Sequence, residues 1–248
     1  MKVKSQKKRL DLLVVERGLA ESRQKAQAMI LAGEVRVDGV KAEKSGAQVA
    51  ESVRLDVTSR LQKYASRGGL KLEGALADFA VNPQGLVCLD LGSSTGGFSD
   101  CLLQRGALRV YAVDVNTDQL AWKLQQDPRV IQIKRNAREL RPDEIPEPVG
   151  LVVADVSFIS VTKILPPAVN AAKPGATFLI LIKPQFELRR EDIGAGGIVK
   201  DPSLHKKAIV SVETAAKSGG LTILGVLPSR LTGAEGNQEF FLHARKIL

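Results

Sequence analysis

Apolar positions follow two different periods along this chain of 248 residues. Beyond about residue 68, short apolar runs at 86–91, 109–114, 130–134, 149–155, 177–183, 221–227 and 238–245 read as strands. The stretches between them carry helical spacing at 96–105, 117–125, 160–172 and 203–218, and a further helical pattern runs from Leu70 to Phe79. Alternation of this kind predicts an α/β, Rossmann-like domain whose mostly parallel seven-stranded sheet is covered by helices on both faces. Such sheets bind ligands at the carboxyl ends of their strands.

The front of the chain has another rhythm. Leu10, Leu13 and Val14 share one face of a helix predicted from Arg9 to Glu16 and stopped by Gly18. Ser22 is a plausible N-cap for a second helix, Arg23 to Leu31, which Gly33 closes. Val35-Arg-Val37 enters a tight turn at Asp38-Gly39, and Val53-Arg-Leu-Asp-Val57 alternates as a half-buried strand. A small α+β domain over 1–60 follows, then a polar connection at 61–67, then the large domain over 68–248. The runs Arg9-Leu-Asp-Leu-Leu-Val-Val-Glu-Arg-Gly-Leu19, Ser22-Arg-Gln-Lys-Ala26 and Gly33-Glu-Val-Arg-Val-Asp-Gly39 resemble the S4-type RNA-binding domain. That resemblance implies an RNA partner, with Arg9, Arg23, Lys25, Arg36, Lys41 and Arg67 as candidate contacts.

Charge sharpens this division. Residues 1–64 carry 14 Lys and Arg against 8 Asp and Glu, whereas residues 65–248 carry 22 against 19. A basic small domain beside a near-neutral large one fits a polyanion-binding module beside a catalytic one. Residues 1–63 contain no Phe, Tyr or Trp, so shape and phosphate contacts are the expected readout rather than base stacking. Cys88 and Cys101 fall in a strand and a helix and read as small buried hydrophobes; no metal site is expected. No apolar h-region follows Met1-Lys-Val-Lys-Ser-Gln-Lys-Lys-Arg9, so no signal peptide is expected, and no run approaches the roughly 20 residues of a membrane span. The expected setting is cytoplasmic. The sequence leaves the oligomeric state open.

The chemistry concentrates at Asp90-Leu-Gly-Ser-Ser-Thr-Gly-Gly-Phe98, a glycine-rich turn between a strand and a helix. Its spacing is neither the dinucleotide pattern nor the P-loop. An acidic residue followed by glycines suits S-adenosylmethionine, which offers an amine and a sulfonium and no phosphate. Asp90, Gly92, Ser93, Ser94, Thr95, Gly96 and Gly97 are the candidate cradle. Asp114 ends the next strand, roughly 20 residues on, where a ribose diol is held. Asn136 is within reach of an adenine ring or caps its own loop.

Four charged residues each abut an apolar run: Lys71, Asp155, Lys183 and Glu239. All four are expected at the ligand edge of the sheet. Two buried lysines are tolerable there if two carboxylates accompany them. A ribose 2′-hydroxyl is a poor nucleophile at neutral pH. Burial of a lysine favours its neutral amine, which can accept or steer that proton.

The ordered Lys-Asp-Lys-Glu set around this loop resembles the FtsJ-type ribose 2′-O-methyltransferases. Combined with the S4-like front and with S-R-G-G-L-K-L, A-D-V-S-F-I-S, K-P-Q-F-E and G-N-Q-E-F-F, it closely resembles the TlyA family, whose members also carry the name hemolysin A. The resemblance implies methylation of cytidine 2′-hydroxyls in ribosomal RNA with S-adenosylmethionine as donor. It also implies Lys71, Asp155, Lys183 and Glu239 as catalytic residues and Asp155 beside the cofactor.

Two other readings stand beside it. A base-amine methyltransferase finds a loose echo of its D-P-P-Y-type loop in Asp155-Val-Ser-Phe158, but the prolines are absent and Lys71, Lys183 and Glu239 stay unexplained. A membrane-lytic protein finds neither a spanning segment nor a sustained basic amphipathic helix. The loop Arg189 to Ile198, with glycines at 194, 196 and 197, is expected to be mobile; its two arginines either meet phosphates or belong to a solvated surface loop.

Overall fold

A computed structural model describes residues 7–20, 22–57, 63–233 and 236–247. The chain divides into two compact units, Met1–Gln62 and Lys63–Leu248. The basic start at residues 1–6, and residues 61 and 62 of the expected connection, lie outside the described residues.

The first unit contains β1 (Lys7–Arg9), α1 (Leu10–Glu16), α2 (Arg23–Leu31), β2 (Val35–Val37), β3 (Val40–Lys41), β4 (Gln48–Ala50) and β5 (Leu55–Val57). Arg9 is extended rather than helical, because β1 pairs antiparallel with β4. Ser22 caps α2 by accepting from the Lys25 amide. β2 lies between β3 and β5, and only Leu55–Val57 of the expected 53–57 strand joins it. Leu10, Val14, Ala26, Ile30 and Val35 are completely buried between the helices and these strands.

The second unit opens with α3 (Arg67–Asp78) and continues through β6 (Val87–Leu91), α4 (Gly97–Gln104), β7 (Arg109–Asp114), α5 (Trp122–Gln125), β8 (Val130–Lys134) and β9 (Val149–Ala154). It ends with α6 (Leu165–Ala171), β10 (Ala172–Ile182), α7 (Pro184–Glu187), α8 (Pro202–Ser218), β11 (Leu221–Pro228) and β12 (Phe240–Lys246). The seven strands lie in the order β11-β12-β10-β9-β6-β7-β8. β12 pairs antiparallel with both its neighbours, while the ladders from β10 to β8 are parallel. β6 and β9 are buried along nearly their whole length, as expected of parallel strands covered on both faces.

In the second unit three elements depart most from expectation, each for a local reason. The helix expected at 117–125 breaks into a single turn, Thr117–Gln119, and α5. Leu120 between them is extended and buried under Gly96. The helix expected at 160–172 is a short turn, Val161–Lys163, followed by α6. Pro166 and Pro167 fall in the first turn of α6, where an absent N–H costs nothing. β10 begins at Ala172, five residues early, with an irregular register between Ala172 and Thr177 across Pro174 and Gly175.

Strand order reverses at β6, which leaves β7 and β8 on one side and β9 and β10 on the other. The crevice of a doubly wound sheet opens at such a point. Because β12 runs against its neighbours, its first residues arrive at the same edge as the last residues of β6, β9 and β10.

Candidate active site

The turn after β6 holds two backbone conformations that favour glycine, Gly92 at φ 82° and Gly96 at φ 91°. A Cβ on Gly92 would stand 2.6 Å from the Asp155 carbonyl oxygen, so the turn and the end of β9 touch backbone to backbone. A Cβ on Gly97 would stand 2.2 Å from Ser66 Oγ and 2.9 Å from the Gly69 amide. The glycines of Arg67-Gly-Gly-Leu-Lys71 and of the turn therefore let the starts of α3 and α4 meet.

A cleft of about 280 Å³ opens between these parts. Ser93, Ser94, Thr95 and Gly97 line it from the turn, Arg67 and Lys71 from α3, and Asp155, Ser157 and Lys183 from the strand ends. Asp90 lies beneath it, wholly buried. Its Oδ2 accepts a 2.6 Å hydrogen bond from Ser99 Oγ, while its Oδ1 has no partner among the described residues. Burial, with Asp155 nearby, pushes the Asp90 carboxyl up to about 7. A buried acceptor with spare capacity at the root of a glycine turn suits a cationic amine donor.

Asp114 ends β7 and organises the turn: its Oδ2 accepts from the Ser94 amide at 2.9 Å and its Oδ1 from the Asn116 amide at 3.0 Å. Each carboxylate oxygen keeps acceptor capacity for a diol. Neither Asp114 nor Asn136 lines the cleft. Asn136 Oδ1 caps the turn Ala137–Glu139 by accepting from the Arg138 amide at 3.1 Å.

The four charged residues form two pairs. Lys71 Nζ donates to Glu239 Oε2 at 2.5 Å, with 10% and 3% of the two side chains exposed. Glu239 does not line the cleft, whereas its partner Lys71 does. Lys183 Nζ lies 2.6 Å from Asp155 Oδ1 and donates to Ser157 Oγ at 2.8 Å. Both lysines are at least nine-tenths buried. Sequence reasoning missed Ser157, although it stands two residues after Asp155. It also missed Asp100, which accepts from the Ala65 amide at 2.7 Å and pairs with Lys123. Tyr64, inside the expected connection, is buried against α3 and α4.

A second depression, of about 650 Å³, adjoins Lys183 and is lined by Phe158, Phe186, Arg138, Lys163, Arg189 and Arg190 among others. Phe158 is 93% exposed and sits at φ 64°, a conformation that non-glycine residues disfavour. Its ring centroid lies 5.3 Å from that of Phe186. Glu187 accepts from Ser160 Oγ and from the Val161 amide, and burial raises its pKa.

The candidate RNA residues are distributed unevenly. Arg9 donates to both oxygens of Asp11, and Arg23 and Gln27 join them. Asp11 is wholly buried, and these partners hold its carboxyl far below the usual range. Lys25 and Lys41 are exposed, and exposed Arg36 donates to the Gly39 carbonyl. Arg67 belongs to the cleft. Cys88 and Cys101 are free, buried thiols, pushed up to about 12 and about 11 by desolvation. Among the described residues no cluster of His, Cys, Asp and Glu could hold a metal, and no helix is long and apolar enough to cross a membrane.

The FtsJ-like methyltransferase family matches residues 64–246, and the S4 domain matches residues 8–55. The 16S/23S rRNA (cytidine-2'-O)-methyltransferase TlyA of Mycobacterium tuberculosis is 46% identical over 239 residues, covering 96% of this chain and 89% of that protein. Hemolysin A of Brachyspira hyodysenteriae is 41% identical over 240 residues, 95% of this chain and 98% of its own. A solved structure from Streptococcus thermophilus, provisionally named a hemolysin, has a TM-score of 0.75 at 40% identity over 98% of this chain and 90% of that one. An S-adenosylmethionine-dependent methyltransferase from Mesorhizobium loti shares the fold, with a TM-score of 0.56 at 17% identity over 73% of this chain and 100% of that one.

Proposed function

This chain belongs to the FtsJ-like methyltransferase family and to its S4-bearing TlyA members, and we propose that it methylates cytidine 2′-hydroxyls in ribosomal RNA. The observation that carries the reading is the pair of buried lysine–carboxylate contacts, Lys71 with Glu239 and Lys183 with Asp155, at the rim of one cleft. A base-amine reaction leaves such pairs without a task.

S-adenosylmethionine, when bound, supplies an electrophilic methyl group on its sulfonium. The residues present fit it. Asp90 Oδ1 offers an unmet buried acceptor for the methionine ammonium, and Gly92 and Gly97 line the cleft without side chains. Asp114 keeps acceptor capacity for the ribose diol. Serines 93 and 94 and Thr95 present hydroxyls to the same space.

The acceptor chemistry falls to the lysines. As the 2′-oxygen would gain the methyl group and the methyl–sulfur bond would break, its proton must leave, and Lys183 Nζ at the cleft wall accepts it or steers it to solvent. Asp155 anchors Lys183 by charge. Lys71, held from behind by Glu239, places a second cation at the rim and orients the incoming ribose. Alignment of the hydroxyl with the methyl contributes most of the acceleration.

The exposed Phe158 ring and the cations Arg138, Lys163, Arg189 and Arg190 beside Lys183 support an RNA strand as substrate, since rings stack bases and cations meet phosphates. In the first unit, Lys25, Arg36 and Lys41 supply phosphate contacts, while Arg9 and Arg23 reach RNA from a fork fixed by Asp11. The setting is cytoplasmic, where ribosomal RNA and S-adenosylmethionine occur together. The test is to incubate ribosomal RNA with the protein and methyl-labelled S-adenosylmethionine, digest to nucleosides and identify the labelled one. 2′-O-methylcytidine is expected; a label on a base amine would replace this reading with the base-directed one.

A further inference from the structure

We infer that Ser157 is a positioning residue for the reaction: it fixes the direction in which Lys183 presents its nitrogen to the acceptor hydroxyl. This role rests on the ribose-directed reading above.

Two partners hold Lys183 Nζ, and they differ in kind. Asp155 Oδ1 is 2.6 Å away, close enough for strong attraction. Yet that oxygen has no hydrogen-bond partner of acceptable geometry among the described residues, although it is buried. The ion pair is therefore short but off-angle. Coulombic attraction sets the distance of a charge and leaves an ammonium free to turn about its own axis. The hydrogen bond from Lys183 Nζ to Ser157 Oγ at 2.8 Å is directional. An amine held at one point by charge and at a second by a hydrogen bond can no longer spin. Its remaining valences then keep a fixed aim, as an alignment-limited reaction requires.

The backbone is shaped to make this hydrogen bond. Val156 is buried beneath the cleft floor, and Phe158 takes a left-handed φ of 64°. Between them Ser157 is exposed and lines the same cleft as Lys183 and Lys71. The Phe186 ring centroid lies 5.9 Å from Lys183 Nζ, a cation–π contact that is weakly directional beside the hydrogen bond to Ser157. A serine hydroxyl that accepts from Lys183 keeps its own hydrogen, which at this exposed position is free to donate to solvent or to the acceptor ribose.

The test compares Ser157→Ala and Ser157→Thr with the wild-type chain on ribosomal RNA, measuring kcat, KM for RNA and calorimetric affinity for S-adenosylmethionine. Ser157→Ala should lower kcat by about 10- to 100-fold through poorer alignment and leave KM and cofactor affinity unchanged. Ser157→Thr retains the hydroxyl at an exposed position and should restore most of kcat. Three results would overturn the inference: unchanged kcat in Ser157→Ala, a Ser157→Thr protein as impaired as Ser157→Ala, or a rise in KM alone, which would make Ser157 an RNA contact. The identity of the labelled nucleoside from wild-type protein tests the ribose-directed reading separately. The variant-to-wild-type rate ratio, taken on whichever methyl product forms, tests Ser157.

Discussion

Lys71 and Glu239 lie 168 residues apart in the chain, yet Lys71 Nζ donates a 2.5 Å hydrogen bond to Glu239 Oε2 in a nearly dry setting. Removing one member leaves the other charged and buried. Glu239→Ala should therefore destabilise the large unit by about 3–5 kcal/mol, measured by denaturant unfolding. The double variant Lys71→Met with Glu239→Leu should recover most of that stability and none of the methyl transfer. Full activity in the double variant would remove the pair from the catalytic account.

Lys183 carries the second prediction. Lys183→Ala should abolish most turnover with RNA and cofactor affinities nearly unchanged, since proton steering contributes on the order of 10²–10⁴-fold. Lys183→Arg should fail to rescue, because a guanidinium does not give up a proton near neutral pH. Near-full turnover of Lys183→Arg would restrict Lys183 to electrostatic positioning.

Asp90 is expected to tie cofactor binding to pH. Its folded carboxyl titrates at about 7 against an ordinary 3.8, so the folded state holds the proton more tightly than the unfolded chain. Stability from this group is fully present below the ordinary value and is lost as pH rises through about 7. Asp90→Asn should flatten that loss in thermal melts of the cofactor-free protein. Wild-type affinity for S-adenosylmethionine should rise between about pH 6 and pH 8, as the carboxylate forms opposite the ammonium, and calorimetry on Asp90→Asn should show no such rise. Parallel pH profiles for the two proteins would count against the ammonium contact.

Asp114 shapes the turn through Ser94 and is assigned the cofactor's diol. Asp114→Ala should weaken S-adenosylmethionine binding by about 1–3 kcal/mol in calorimetry. Unchanged affinity with an intact fold would move the diol elsewhere.

The small unit is expected to set the salt dependence of RNA binding. Replacing exposed Lys25, Arg36 and Lys41 with Ala should reduce the slope of log affinity for RNA against log salt by about 0.7–0.9 for each phosphate that is no longer neutralised. Cofactor affinity should not change. An equal slope for variant and wild type would place the phosphate-binding cations on other residues.

What the sequence reveals here depends on how local each signal is. The turn at Gly92 and Gly96 is readable because backbone dihedrals select glycine residue by residue. Asp155 and Lys183 are readable because each closes an apolar run that becomes a strand. Gly69 is different: its space is claimed by the Tyr64 ring, which a Cβ there would approach to within 2.4 Å of Cγ. No spacing rule announces that packing. Arg9 and Arg23 look like free cations in the sequence; Asp11 meets Arg9 locally, but only the packing of α2 on α1 brings Arg23 to the same carboxylate. Ser157 is hidden in another way, since a lone serine in a loop carries no periodic signal until Lys183 is folded over it.

The placement of β12 has a consequence for biogenesis. It follows every other strand of the sheet in the chain, yet it occupies an interior slot between β10 and β11. Glu239 immediately precedes it. As the chain leaves the ribosome, every other strand of the sheet and three of the four charged residues emerge first, while β10 and β11 still lack their shared neighbour. Insertion of β12 completes the hydrogen-bond ladder and delivers the carboxylate behind Lys71 in one event. Methyl transfer is therefore expected to depend on the seating of β12, because the carboxylate behind Lys71 arrives only with that strand.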